Sequence, residues 1–111
     1  MVNKVIILGN VGKDVTSYDT TNNGGNTRCN FSVATTERYN RSGEIVEKTE
    51  WHRVVAFGKL ASFATNYITS GKQVYVEGKL YAHNYTDKDG VAKTSVEIIA
   101  DEIKLCGKKG E

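Results

Sequence analysis

Residues 49–67 read TEWHRVVAFGKLASFATNY, and the side-chain period changes within this stretch. Residues 49–57 are predicted to form a strand, whose alternate side chains point to opposite faces. From Leu60 to Tyr67 apolar residues recur at intervals of three and four, which predicts one amphipathic helix. We expect Gly71 to be the left-handed C′ residue that ends this helix.

The two faces of the predicted strand differ in chemistry. One face carries Trp51, Arg53, Val55 and Phe57, and the other carries Glu50, His52, Val54 and Ala56. The first face therefore combines the only tryptophan of the chain with a guanidinium and a phenyl ring. Flat rings beside a fixed positive charge suit unpaired nucleic-acid bases and their phosphates.

Further alternating segments lie on both sides of this stretch. Strands are predicted at residues 2–9, 28–39 and 45–57 before the helix, and at 74–85 and 92–105 after it. Residues 15–27 are polar and predict a loop, and Asp87–Gly90 predicts a hairpin turn. The order of three strands, one helix and two strands predicts an all-β fold. We expect a five-stranded Greek-key barrel of the oligonucleotide-binding (OB) type, with its α-helix between strands 3 and 4.

Length and charge place few limits on function. The 111 residues predict one domain, and 15 basic against 13 acidic residues give a net charge of +2. That balance argues neither for nor against a nucleic-acid partner, so the distribution of charge matters more. The apolar run Val5–Leu8 is far too short for a membrane span or an export signal. We therefore expect no membrane partner and a cytosolic, mitochondrial-matrix or virus-encoded intracellular protein.

Aromatic and basic side chains are the candidates for nucleic-acid binding. The candidate stacking platforms are Tyr39, Trp51, Phe57 and Tyr85. The candidate phosphate ligands are Lys4, Arg28, Arg38, Arg41, Arg53, Lys59, Lys72, Lys79 and Lys88. Each ring taken singly is equally compatible with core packing, and Phe31 and Phe63 are interpreted as core because each lies among apolar neighbours.

The sequence indicates neither a metal site nor catalysis. Its imidazole and thiol ligands, Cys29, His52, His83 and Cys106, lack the short spacings of zinc sites, and the cysteines are interpreted as reduced thiols. The segment Gly9–Asp14 resembles a phosphate loop, but its glycines are too close together and Asp14 replaces the magnesium-binding hydroxyl. We therefore predict no cofactor and no enzymatic activity.

Four blocks of sequence carry a resemblance to the bacterial single-stranded-DNA-binding proteins, a family of OB folds, and this resemblance extends over nearly the whole chain. These blocks are Val2–Asn10 (VNKVIILGN), Asn30–Thr35 (NFSVAT), Thr49–Ala61 (TEWHRVVAFGKLA) and Gly71–Leu80 (GKQVYVEGKL).

The resemblance implies a homotetramer that coats single-stranded DNA in replication, recombination and repair. It also implies a cytoplasmic, nucleoid-associated location, with a phage or plasmid origin left open. It implies base stacking at the four candidate rings, of which Tyr39 and Tyr85 occupy positions that are often tryptophan. It also implies that His52 supports subunit assembly and that Gln73 and Tyr75 lie at the contact between dimers. Residues 1–106 are expected to form the DNA-binding domain.

The resemblance also raises two open points. Members of the family usually continue into a long tail whose acidic tip recruits replication and repair proteins, whereas residues 107–111 form only a short basic tail. Such recruitment is therefore not carried over to these residues. The alternative function is a primosome-type OB module that acts mainly as a protein-interaction partner.

Overall fold

The computed structural model describes residues 1–12, 15–20 and 26–107, with the backbone alone for 16–20 and 26. Most of the predicted basic tail, residues 108–111, therefore lies outside the described residues. The elements, in chain order, are β1 Val5–Val11, β2 Thr16–Thr20, β3 Asn26–Arg41, β4 Glu44–Phe57, α1 Gly58–Tyr67, β5 Gln73–Thr86 and β6 Ala92–Leu105.

The strands pair into one closed barrel. Antiparallel pairing joins β3 to β4, β5 to β6 and β1 to β5, whereas β4 and β6 run parallel. The barrel closes where Asn10 and Val11 of β1 pair with Ala34 and Val33 of β3. Because β1 and β2 both pair with β3, they are two parts of one barrel strand. The closed five-stranded barrel, with α1 between its third and fourth strands, confirms the predicted OB architecture.

Gly9 allows β1 to change partners at the point of closure. A Cβ atom built on this residue would lie 2.2 Å from the carbonyl oxygen of Ala34, inside any permitted contact distance. Only glycine, which has no side chain, lets the backbones of β1 and β3 approach so closely. Gly78 likewise permits a close approach between β5 and β6, since a Cβ on this residue would lie 2.1 Å from the carbonyl oxygen of Ile99. It lies at the register shift that follows Glu77.

The prediction of a loop over residues 15–27 is wrong in part. Thr16–Thr20 forms β2 and pairs with β3, whose first residue, Asn26, lies opposite Thr20. The strand ends the sheet order and pairs with β3 alone among the described strands. An edge position needs few apolar side chains, which explains why no alternating pattern indicated a strand. The predicted turn residues 21–25 lie outside the described residues.

The predicted helix is confirmed, but the role predicted for Gly71 is wrong. Helix α1 ends at Tyr67, and the following residue, Ile68, has extended backbone. Ile68 is buried, so the chain leaves the helix by running directly into the core. Gly71 has a φ of 85° in the turn before β5, where its N–H donates to the carbonyl of Val11 at 2.8 Å.

The core lies inside the barrel, and α1 packs against it. Inward-facing residues of β3, β4 and β5 are almost fully buried: Phe31, Val33, Val54, Val74 and Val76. Ala61 and Ala64 are the buried residues of the helix, and Phe63 packs partly buried against the same cluster. The core assignments of Phe31 and Phe63 are therefore confirmed. No helix in the described ranges is long and apolar enough to cross a bilayer.

Candidate nucleic-acid interface

The outer face of the β3–β4 hairpin forms one wall of a groove. The strand register places Arg28 opposite Phe57 and Ser32 opposite Arg53. The small side chain of Ser32 leaves Arg53 uncovered, and the Arg53 side chain is 56% exposed. Phe57 is 46% exposed. Val55 shares this face but is fully buried, because β6 lies parallel to β4 at this position. It forms part of the floor of the groove.

The β5–β6 hairpin forms the opposite wall. The rings of Tyr81 and His83 lie 6.5 Å apart between centroids, and those of His83 and Tyr85 lie 6.3 Å apart. The interplanar angles of 26° and 14° show that the three rings are nearly parallel. Alternate residues of one strand point to one face, so the wall carries an aromatic row. Such rings can accept bases of any identity by stacking.

The two walls enclose a groove of about 660 Å³. Its lining residues are Arg28, Arg53, Val55, Phe57, Tyr81, His83, Tyr85, Ser95, Glu97 and Ile99. The barrel thus brings two of the four predicted stacking rings, Phe57 and Tyr85, together with two of the predicted phosphate ligands, Arg28 and Arg53.

Charged contacts organise the floor of the groove. The Oε2 atom of Glu97 lies 3.3 Å from Nε of Arg53 and 3.8 Å from an Nη of Arg28. The Nε–H of Arg28 donates to Oδ1 of Asn30 at 3.2 Å. The guanidinium carbon of Arg28 lies 5.8 Å from the centroid of the Phe57 ring, within reach of a cation–π interaction.

Trp51 and Tyr39 lie outside this groove. Trp51 is on the face of Arg53 and Phe57, opposite Ala34, and is 62% exposed. Its ring lies over Gly12, where a built Cβ would be 2.9 Å from Cζ3 of the indole. Tyr39 pairs with Val46 where the hairpin extends beyond the barrel, and strict alternation puts it on the other face of the ribbon from Trp51.

A sequence model described as the single-strand binding protein family matches residues 2–106. The chain belongs to this family. A single-stranded DNA-binding protein of Xanthomonas campestris is 48% identical over 111 residues, and one of Neisseria meningitidis serogroup A is 42% identical over 111. Both alignments cover 99% of this chain but only 63% of the relative, so the chain spans less than two thirds of these proteins.

Solved structures of family members share the fold closely. A Plasmodium falciparum SSB in complex with ssDNA superposes with a TM-score of 0.85 at 28% identity, covering 96% of this chain and 97% of that one. A small single-stranded DNA-binding protein from Streptomyces coelicolor gives a TM-score of 0.75 at 26% identity, with 96% of both chains covered.

The remaining predicted phosphate ligands are distributed around the family fold rather than gathered in the groove. Arg38 and Arg41 lie on the extended part of the β3–β4 hairpin, where Arg38 pairs with Glu47 at 2.8 Å. Lys79 shares the face of Tyr81 and pairs with Ile99, a lining residue of the groove. The others occupy separate positions: Lys59 on α1, Lys72 before β5 and Lys88 in the β5–β6 turn.

Lys4 has a markedly different environment from the other basic candidates. Its ammonium pairs with Glu77, and Asp101 and Glu102 line the same shallow depression. The hydrogen bond to Glu77 raises the pKa of Lys4, and the same contact lowers the pKa of Glu77. A phosphate at this position would have to compete with the glutamate that already binds the ammonium.

The predicted assembly residues occupy two regions of the barrel. His52 points away from Trp51, and its Nε2 lies 2.8 Å from the hydroxyl of Thr35. Gln73 and Tyr75 lie on β5, with Tyr75 opposite Leu8 of β1. Leu8 is more than half exposed, and so is Ile6 one pleat away. The face around Tyr75 therefore exposes two apolar side chains, bordered by Lys104 opposite Tyr75 and by Glu77 opposite Ile6.

Four groove-face residues were missed by the sequence reasoning as binding candidates. Tyr81 and His83 share the alternation that placed Tyr85 on this face, so their spacing was the available signal. Glu97 interrupts an apolar run from Val96 to Ile99, and such a lone acid indicates a special environment. Lys93, opposite Tyr85, belongs to this face as well.

Proposed function

We propose that this protein binds single-stranded DNA without reading its sequence and coats it during replication, recombination and repair. The observation that carries the proposal is the aromatic groove, in which Phe57 on one wall and the row Tyr81, His83 and Tyr85 on the other border two guanidinium groups. Stacking on rings is tolerant of base identity, and exposed lysine and arginine side chains neutralise phosphates. The names of the family relatives agree with this activity.

Oligonucleotide titration tests the proposal directly. Poly-thymidine strands of defined length should bind and quench Trp51 fluorescence, whereas a hairpin duplex should bind much more weakly because its bases are already stacked. The logarithm of affinity should fall with the logarithm of salt concentration by about 0.7 per phosphate contacted. Equal competition by the hairpin duplex would refute the proposal.

The alternative of a protein-interaction module makes a different prediction. Under DNA binding, replacing Trp51 with alanine should reduce affinity for poly-thymidine by about 1–3 kcal/mol, the contribution of one stacked base. Under the alternative, the same replacement should leave DNA affinity nearly unchanged. The relatives are named for single-stranded DNA, which does not favour the alternative.

The proposed working form is a homotetramer without catalytic activity. Support comes from the exposed apolar side chains around Tyr75 and from the position of His52 away from the DNA-binding face. Exposed apolar side chains bordered by polar ones are typical of a protein–protein contact. In this proposal DNA passes over several subunits, since one groove of about 660 Å³ holds only a short piece of strand.

A further inference from the structure

Glu97 is the one buried charged residue among those whose side chains the structure describes, and it lies in the proposed DNA groove. Its side chain is only 11% exposed. A carboxylate repels the phosphates of a nucleic acid, so its presence on the floor of such a groove requires an explanation.

The contacts of Glu97 supply that explanation. Its Oε2 atom pairs with both Arg53 and Arg28, at 3.3 and 3.8 Å. Two guanidinium groups and one carboxylate leave the floor with a net charge of +1. Arg28 is further held by Asn30 and by the ring of Phe57. These contacts hold the two guanidinium groups near the floor of the groove before any ligand enters.

Such fixation makes the two arginines poor phosphate ligands. A guanidinium that turned to a phosphate would leave the carboxylate of Glu97 with only one of its two partners in a mostly buried site, which is unfavourable. The Arg53 side chain is 56% exposed, so solvent screens its charge. The cost of breaking the ion pair therefore comes mainly from the Glu97 carboxylate, which is only 11% exposed. The exposed ammonium of Lys79, which has the same face as Tyr81, is not subject to this restraint.

We propose that Glu97 is a positioning residue that reserves Arg28 and Arg53 for nucleobases and excludes phosphate from the floor of the groove. The inference rests on the proposed binding of single-stranded DNA. The held guanidiniums present flat faces and N–H donors to a base, while phosphates stay at the lysine-bearing rim. Glu97 thereby favours strands with free bases over polyanions that have none.

The test compares the wild-type chain with Glu97→Gln, which removes the charge and keeps the shape. Binding of a poly-thymidine oligonucleotide is measured by fluorescence anisotropy at several salt concentrations, with inorganic polyphosphate as competitor. In Glu97→Gln the released guanidiniums should reach phosphates, and the salt slope should steepen by about 0.7 for each one. Polyphosphate should compete about tenfold better than against wild type, a change of 1.4 kcal/mol in relative affinity.

Two variants serve as controls. Glu102→Gln removes the same charge from the same strand, but Glu102 pairs with Lys104 outside the groove, so it should keep the wild-type slope and competition. Glu97→Asp keeps the charge and should remain closer to wild type than Glu97→Gln in both measurements. Circular dichroism confirms that each variant is folded.

A second pair of variants keeps the inference falsifiable if Glu97→Gln does not fold. Arg53→Gln should weaken oligonucleotide binding without changing the salt slope, whereas Lys79→Gln should reduce the slope by about 0.7. A reduced salt slope in Arg53→Gln would overturn the inference. So would a folded Glu97→Gln protein that behaves like wild type, or a Glu102→Gln protein that shows the changes expected of Glu97→Gln. If wild type fails to bind the oligonucleotide, the proposed function itself is refuted; tight wild-type binding with an unchanged Glu97→Gln slope refutes this inference alone.

Discussion

At the scale of single residues, Phe57 links the stacking and the electrostatic parts of the groove. The guanidinium of Arg28 lies 5.8 Å from its ring centroid, and 46% of the residue remains exposed. The ring therefore has a cation on one side and open surface for a base elsewhere. A phenyl group held in this way can stack without first losing much rotational freedom.

Replacing Phe57 with alanine should reduce the affinity for a poly-thymidine oligonucleotide by about 1–3 kcal/mol, because one stacking partner is lost. Fluorescence anisotropy measures the effect. Tyr67→Ala is the matched control, since Tyr67 is also exposed but lies on α1 outside the groove. Equal losses in both variants would contradict a stacking role for Phe57.

The two cysteines should differ in reactivity. Burial raises the pKa of the Cys29 thiol, and the residue has no exposed surface, whereas Cys106 is only partly buried. Since the thiolate is the reactive form, maleimide at neutral pH should label Cys106 alone in the folded protein. Mass spectrometry after proteolysis locates the label, and both residues should react in guanidinium chloride. Rapid labelling of Cys29 in native buffer would show that the core opens more readily than the structure implies.

At the scale of elements, β1 is the strand that closes the barrel, and Gly9 is the residue that permits it. Gly9→Ala should destabilise the protein by about 2 kcal/mol or more, because its Cβ would overlap the backbone of Ala34. Gly12→Ala should cost less, because its Cβ would be too close only to the ring of Trp51, which can rotate away, and would lie at ordinary contact distance from Ser32. Urea denaturation gives both values, and a larger loss for Gly12→Ala would argue against this account of closure.

The β5–β6 hairpin depends on the carboxylate of Asp87. Hydrogen bonds from the N–H groups of Val91 and Asp89, at 3.0 and 2.9 Å, and an ion pair with Lys93 lower the pKa of Asp87. A folded-state pKa below the ordinary aspartate value of about 4 means that this stabilisation is complete above pH 4 and is lost as the pH falls through the lowered value.

Amide exchange at Val91 reports this loss locally. Its protection should decrease in acid in wild type and should be weaker and nearly independent of pH in Asp87→Asn, which keeps an acceptor but has no charge. Asp89→Asn, in the same turn, should retain the wild-type pH dependence. Identical acid profiles in wild type and Asp87→Asn would show that another group controls the hairpin.

At the scale of the whole molecule, the barrel leaves the apolar side chains of Ile6 and Leu8 exposed beside Tyr75. Tyr75→Arg should shift sedimentation equilibrium at micromolar concentration from a tetramer towards smaller species, because a second positive charge would lie opposite Lys104 within the proposed contact. Val91→Arg, an equally simple change at the exposed tip of the β5–β6 hairpin, should leave the mass unchanged. A wild-type mass equal to the 12.2 kDa of one chain would refute the tetramer.

Predictability from sequence follows the range of the interactions involved. Local alternation accounts for most of β4: Trp51, Arg53 and Phe57 are exposed, and Val54 and Ala56 on the other face are buried. Val55 is the exception, since it shares the face of Trp51 but is fully buried. Two local signals were misleading. The edge strand β2 was predicted as a loop, and Gly71 adopts its positive φ in the turn before β5 rather than at the end of α1. In each case tertiary neighbours, rather than the residue itself, decide the outcome.

The five predicted strands, the helix between the third and fourth of them, and the alternation of side chains along β4 and β5 are determined by the sequence alone, because side-chain period is a property of neighbouring residues. The composition of the groove is decided only by tertiary structure. Glu97 meets Arg28 and Arg53 because β6 runs parallel beside β4 after a long crossover, and Val55 is buried for the same reason. No local pattern encodes a contact between strands so distant in the chain; it exists only once the barrel has closed.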